Sequence, residues 1–132
     1  MEIGKKRLVT YYAFAFFWAF GGSLKHTAQR KIDDLFRGIF TQLNIPLSDT
    51  VFEYFIDEKT LKFVHWSKKV PNFEFQKDAA YFSLLVPTVD TMRYSHILRF
   101  IIAAGDHPKP LFLTGDTGVG KSVIIQNTLA AI

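Results

Sequence analysis

Eight consecutive residues, Gly115-Asp116-Thr117-Gly118-Val119-Gly120-Lys121-Ser122, have the types and spacing of a phosphate-binding loop, G-x-x-x-x-G-K-[ST]. Each type has a physical reason. Glycines let the chain curl tightly and bring backbone N–H groups against phosphate oxygens, where a side chain would intrude. Lys121 supplies a point charge for the β and γ phosphates. The Ser122 hydroxyl can ligate a Mg²⁺ ion that bridges those phosphates. A helix expected from about Gly120 onward aims its positive end at the same anion. Four fixed positions at average residue frequencies give a chance match in roughly 0.5% of chains of this length. With Val123, which follows directly, these residues are the candidate set for binding ATP or ADP with Mg²⁺.

Hydrolysis needs more than this loop. An ATPase of this type also uses a second strand ending in an acidic residue that holds Mg²⁺. The one upstream candidate is the run from Val51 to Ile56, which ends in Asp57-Glu58. Glu53 interrupts it, and a central parallel strand buried on both faces does not tolerate a charge there. Asp57-Glu58-Lys59-Thr60 instead reads as a four-residue hairpin loop joining strands Val51–Ile56 and Leu61–Trp66. His26, His65, His96 and His107 share no metal-like spacing. No catalytic residue is assigned, and the 132 residues by themselves are expected to hydrolyse ATP negligibly.

The elements that must position the loop are legible on either side. Leu111-Phe112-Leu113-Thr114 is a short apolar run of the fully buried, parallel-strand type. Before it, Asp90 or Thr91 is the expected cap of a helix running to about Ala104, with Tyr94, Ile97, Leu98, Ile101 and Ile102 as its apolar stripe. Residues 68–77 read as a polar connector, and residues 81–86 as an apolar run stopped by Pro87. A helix from about Thr27 to Leu43 has Ile32, Leu35, Phe36, Ile39, Phe40 and Leu43 at three- and four-residue steps. Arg30, Lys31, Asp33, Asp34 and Arg37 take its other face. Leu8–Phe20, ended by Gly21-Gly22, reads as a helix that is apolar on nearly all sides and therefore buried by neighbours.

That first segment imitates a secretory signal, with Lys5, Lys6 and Arg7 ahead of an apolar stretch and small residues behind it. Its seven aromatics and its 13-residue length argue instead for a core helix, so no membrane association is expected. The whole chain carries 14 Phe, 5 Tyr and 2 Trp, a level that means a large packed core or surfaces meant for other protein. Cysteine is absent, which excludes disulfides and thiolate metal sites. The net charge of +4 is spread thinly, with no run of five or six like charges, so no nucleic-acid binding is expected.

Beyond these local readings, Phe17-Trp18-Ala19-Phe20-Gly21-Gly22-Ser23-Leu24, then Arg30 to Phe36, then Val51-Phe52-Glu53-Tyr54-Phe55 with Trp66, resemble a stretch of dynein heavy chain. In that family the stretch is the lid and extension after the second AAA+ module. Val86-Pro87-Thr88-Val89-Asp90-Thr91-Met92-Arg93-Tyr94 resembles the entry to the third AAA+ module, and Gly115 to Ser122 with Val123-Ile124 resembles that module's phosphate loop, in wording closer to axonemal than cytoplasmic forms. The resemblance implies an α/β fold: the beginning of a P-loop NTPase of the AAA+ type, preceded by a helical lid and extension with a β-hairpin, and incomplete as a fold. Residues 1–80 would be the lid and extension and 81–132 the start of the third module. It also implies Val86, Pro87 and Thr88 on the adenine side. The parent would be an ATP-driven microtubule motor of the cytoskeleton and the ciliary axoneme. Its implied partners are neighbouring AAA+ modules, microtubules, and dynein intermediate and light chains. The acidic second motif, sensor residues and arginine finger of the family are not found in these 132 residues. Two other readings remain open: a stand-alone small P-loop NTPase, in which Asp57 or Glu58 would approach Ser122, and a non-catalytic interaction module.

Overall fold

A computed structural model describes residues 2–72, 86–103 and 109–131. The chain divides into two units, residues 1–68 and 69–132.

The first unit is built on aromatic rings. Helix α1 (Glu2–Gly21) is followed by α2 (His26–Ile39), and then by an antiparallel pair, β1 (Tyr54–Ile56) and β2 (Phe63–His65). The register pairs Tyr54 with His65, Phe55 with Val64 and Ile56 with Phe63. Single 3₁₀ turns, Val51–Glu53 and Trp66–Lys69, bracket the pair. Phe17 of α1 stacks on Phe36 of α2 at 5.5 Å and 18°, while Phe40 meets Phe17 edge-on at 5.4 Å. Phe52 carries the cluster into the 3₁₀ turn, 6.0 Å from Phe36 and 5.7 Å from Trp18. Offset and edge-to-face pairs of this kind add stabilisation beyond the area they bury.

Polar ties fix the helices to the hairpin. Asp33 accepts from the Val51 N–H at 2.6 Å and from the Arg37 Nε at 2.7 Å. Arg37 in turn donates to the carbonyl of Asp49 at 2.6 Å. The buried Gln29 donates to the Gly21 carbonyl at 3.0 Å, joining the Leu24 N–H at 3.1 Å on the last carbonyl of α1. The Trp66 indole N–H donates to the Phe52 carbonyl at 2.9 Å, so a fully buried ring leaves no polar atom unpaired. At Gly21 a Cβ would collide with the Phe52 ring, so glycine is what admits that ring against the end of α1.

Several expectations need correction here. Helix α1 begins at Glu2 and is buried along one side only, through Thr10, Ala13, Phe14, Phe17 and Gly21. Leu8 and Tyr12 are exposed, because α2 and the hairpin cover just one face among the described residues. Phe36 on α2 and Phe40 at its C-cap are buried, but Leu35 is 62% exposed and Ile39 48%. Asp33, expected with Arg37 on a solvated face, instead holds the Val51 N–H, and both are half-buried while two of the six stripe residues turn outward. The strands are three residues each, and the hairpin loop spans 57–62. The Leu61 N–H bonds the Asp57 carbonyl, with Leu61 itself at a left-handed φ of 54°.

In the second unit, α3 (Val89–Ile102) packs against α4 (Lys121–Ala130) through buried Arg93, Leu98, Ile124 and Thr128. The cap of α3 is Thr88 rather than Asp90 or Thr91. Its hydroxyl accepts from the Thr91 N–H at 3.2 Å, and the Thr91 hydroxyl accepts from the Thr88 N–H at 2.7 Å, a reciprocal capping box. Asp90 sits in the first turn, where its charge favours the helix dipole. Of the expected α3 stripe, Leu98 is buried and Tyr94 is 44% exposed. The Leu111–Thr114 run forms no strand, and Phe112 is 87% exposed. A central parallel strand takes its hydrogen bonds from neighbours, and no strand lies in the described part of this unit to supply them. Residues 73–85 and 104–108, where most of the connector, most of the second apolar run and the end of the α3 helix were expected, lie outside the described residues. Among the described residues no helix is long and apolar enough to cross a membrane.

Truncating Phe17 to alanine is expected to destabilise the first unit by about 3–5 kcal/mol, the cost of emptying a buried aromatic site. Leu35→Ala, on the exposed edge of α2, should change stability by no more than about 0.5 kcal/mol. Urea unfolding followed by tryptophan fluorescence measures both, and the opposite order would contradict this assignment of faces.

Candidate functional site

The candidate site is the turn that enters α4. Gly118 and Gly120 both sit at φ 82°, and Gly115 at φ 154°. A Cβ at Gly118 or Gly120 would meet nothing within 4 Å, so backbone conformation rather than crowding demands glycine there. A left-handed conformation costs an L-residue roughly 1–2 kcal/mol. With these turns made, the chain doubles back. The Lys121 Nζ donates to the carbonyls of Gly115 at 2.9 Å and Asp116 at 2.5 Å, so its ammonium lies within the curl.

Gly120 is the N-cap of α4, and its carbonyl accepts from the Ile124 N–H at 3.0 Å, the first bond of the helix. The N–H groups of Lys121, Ser122 and Val123 therefore precede the helical ladder and open at its positive end. Asp116, Thr117, Gly118, Val119 and Ser122 are exposed, whereas Gly120, Lys121 and Val123 are half-buried. The turn thus sets the Lys121 ammonium, on two loop carbonyls, beside the open N–H groups that begin α4, and donors of these kinds suit an oxyanion.

Val86, Pro87 and Thr88 lie at the entrance to α3, with Val86 52% exposed. Thr88 is engaged with Thr91 in the capping box, and no hydrogen bond among the described residues joins the three to the loop. Ser122 is the one candidate Mg²⁺ ligand. Among the described residues no group of three or more His, Asp or Glu side chains that could hold a metal ion occurs. Asp57 stays in the hairpin loop, where its carboxylate accepts from the Thr60 hydroxyl at 2.5 Å. That bond holds its pKa below the usual carboxylate value. His26 faces Glu53 at 4.0 Å and His65 faces Asp49 at 3.7 Å, in separate places on the first unit. His107 lies outside the described residues.

One cluster had no signal in the sequence. On α3, the Nδ1 of His96 accepts from the Lys69 Nζ at 2.9 Å, across 27 residues of chain. Burial, together with the charges of Lys69 and Arg99, pushes the imidazole down to about 4. No spacing rule links a lysine to a histidine at that separation.

Comparisons with known proteins cover both units. Residues 2–68 match the family model described as the dynein heavy chain AAA lid domain, and residues 73–132 the model described as the P-loop containing dynein motor region. Dynein axonemal heavy chain 9 of Homo sapiens is 35% identical over 130 residues, covering 92% of this chain and 3% of that protein. Dynein axonemal heavy chain 17 of Mus musculus is 33% identical over 123 residues, covering 90% of this chain and 3% of that protein. The ciliary dynein beta chain of Tripneustes gratilla is 34% identical over 124 residues, covering 91% and 3%. The chain thus spans about 3% of the length of the curated relatives it matches.

The His96 environment makes stability depend on pH. The folded chain keeps the imidazole neutral down to about pH 4, whereas the unfolded chain protonates it near its ordinary value of 6.5. Between those values the unfolded state binds more protons, so stability falls as pH is lowered through the window. Thermal melts across it should show that loss, and His96→Gln should flatten it. An unchanged pH profile in the variant would contradict the assignment.

Proposed function

The chain belongs to the dynein heavy chain family, and from that premise we propose that residues 115–123 hold the phosphates of ATP or ADP within the ring of an ATP-driven microtubule motor. The observation that carries the reading is the curl of the loop around Lys121, which the left-handed glycines make possible. The backbone N–H groups of the loop and of the first turn of α4 receive the phosphate oxygens, and Lys121 exchanges its contacts with the Gly115 and Asp116 carbonyls for the β and γ phosphates. The Ser122 hydroxyl would hold the Mg²⁺ that accompanies the nucleotide, and that ion would supply neutralisation of phosphate charge. Val86, Pro87 and Thr88 form the adenine side.

Residues 1–80 serve as the lid and extension following the second AAA+ module, and residues 81–132 begin the third. The axonemal and ciliary names of the similar heavy chains support a place in the cytoskeleton of a cilium or flagellum. Neighbouring AAA+ modules, microtubules and the intermediate and light chains are the partners of the full motor.

Nucleotide binding is tested by calorimetric titration of the chain with ADP and Mg²⁺. Lys121→Ala removes one charge-assisted interaction with phosphate, worth about 1.5–3 kcal/mol, and affinity should fall by roughly 10- to 100-fold. Equal affinity in the variant and the unsubstituted chain would overturn the reading.

A further inference from the structure

The first unit carries a groove that phosphate binding does not use. A cavity of about 620 Å³ lies between α1, the segment after α2 and the start of β2. That size falls within the range of about 300–1,000 Å³ typical of ligand pockets. Val9, Leu43, Pro46, Leu61 and Phe63 give it an apolar wall, and all five are buried or half-buried. Lys5 and Lys6 of α1 and Lys62 of the hairpin, all exposed, line the same cavity. Asp57, in the hairpin loop with Lys62, keeps its carboxylate on the Thr60 hydroxyl.

The backbone at Leu61 adds a second observation. Its N–H closes the hairpin loop on the Asp57 carbonyl, and among the described residues it is the one non-glycine at a positive φ, 54°. Glycine takes such a position without steric cost, and asparagine at less cost than a branched side chain. Leucine there carries the cost and places an apolar residue in the groove wall.

We propose that this groove docks an acidic peptide segment of a partner protein, with an apolar side chain against Leu61 and Phe63 and carboxylates on Lys5, Lys6 and Lys62. Charge complementarity selects this occupant. A ligand with one carboxylate meets one of the three ammonium groups, whereas a peptide presents several carboxylates beside an apolar anchor. Gln42 and Asn44, exposed at the same cavity, each carry donors and an acceptor that match the backbone groups of a peptide. Lysines placed in this way choose the partner and speed its encounter, and the buried anchor slows its release.

The test is methyl NMR of the chain, following Val9 and Leu61, with a synthetic peptide in which a leucine pair is flanked on both sides by glutamates. Both methyl sets should move saturably, and added sodium chloride should weaken the response. Peptides with glutamine in place of glutamate, or alanine in place of leucine, should bind at least tenfold more weakly. The chain carrying both Lys6→Glu and Lys62→Glu, at exposed positions, should lose at least tenfold in affinity and should bind a lysine-flanked form of the peptide instead, an exchange that a misfolded chain would not give. Leu61→Gly suits the left-handed backbone, so the hairpin is kept, yet the Val9 response should weaken severalfold. No saturable movement with the glutamate peptide overturns the proposal. So does equal binding of the glutamine form, or undiminished binding in either variant. Sodium octanoate binding more tightly than the peptide would assign the groove to a small amphiphilic anion and overturn it as well.

Discussion

Left-handed backbone at Gly118 and Gly120 sets the course of the chain from the loop into α4. Those conformations turn the chain back on itself, seat the Lys121 ammonium on two loop carbonyls, and start α4 with its N–H groups facing the curl. Once α4 starts there, Ile124 and Thr128 fall on the side that packs against α3. A side chain larger than hydrogen at either glycine has room, but not a comfortable backbone.

The first unit rests on a different constraint, the fit of rings from three elements. Phe17, Phe36 and Phe40 pack together, Phe52 joins them from the 3₁₀ turn, and Gly21 leaves the space that Phe52 needs. The high Phe content is in good part this core, since Phe14, Phe17, Phe36, Phe40, Phe52 and Phe63 are all buried. Rings alone do not set a helix's rotation. Asp33 does so by holding the Val51 N–H and Arg37 together, which anchors α2 to the chain leading into the hairpin.

Much of this was legible in the sequence where a local rule was strong. The phosphate loop was legible because glycine, lysine and serine at fixed spacing have few other uses. The helix after it, the two helices of the first unit and the hairpin followed from periodicity and punctuation. Long-range terms account for the rest. The exposure of Leu35 and Ile39 depends on a bond between Asp33 and Val51, 18 residues apart, that no helical periodicity encodes. Leu111–Thr114 has the composition of a buried strand, but strand formation requires partners, and none is present in the described part of that unit. The cap at Thr88 competed with Asp90 and Thr91 on residue type alone, and only the reciprocal geometry with Thr91 distinguishes them. Lys69 meets His96 through tertiary packing, without any spacing signature.

The central claim is that backbone donors at the start of α4, organised by glycine, receive the phosphates of a nucleotide. Amide NMR of the chain titrated with ADP and Mg²⁺ tests it most directly. The account predicts large shift changes concentrated on the N–H groups of residues 115–123, with the amides of residues 2–68 nearly unmoved. Changes centred elsewhere, or none at saturating nucleotide, would contradict it.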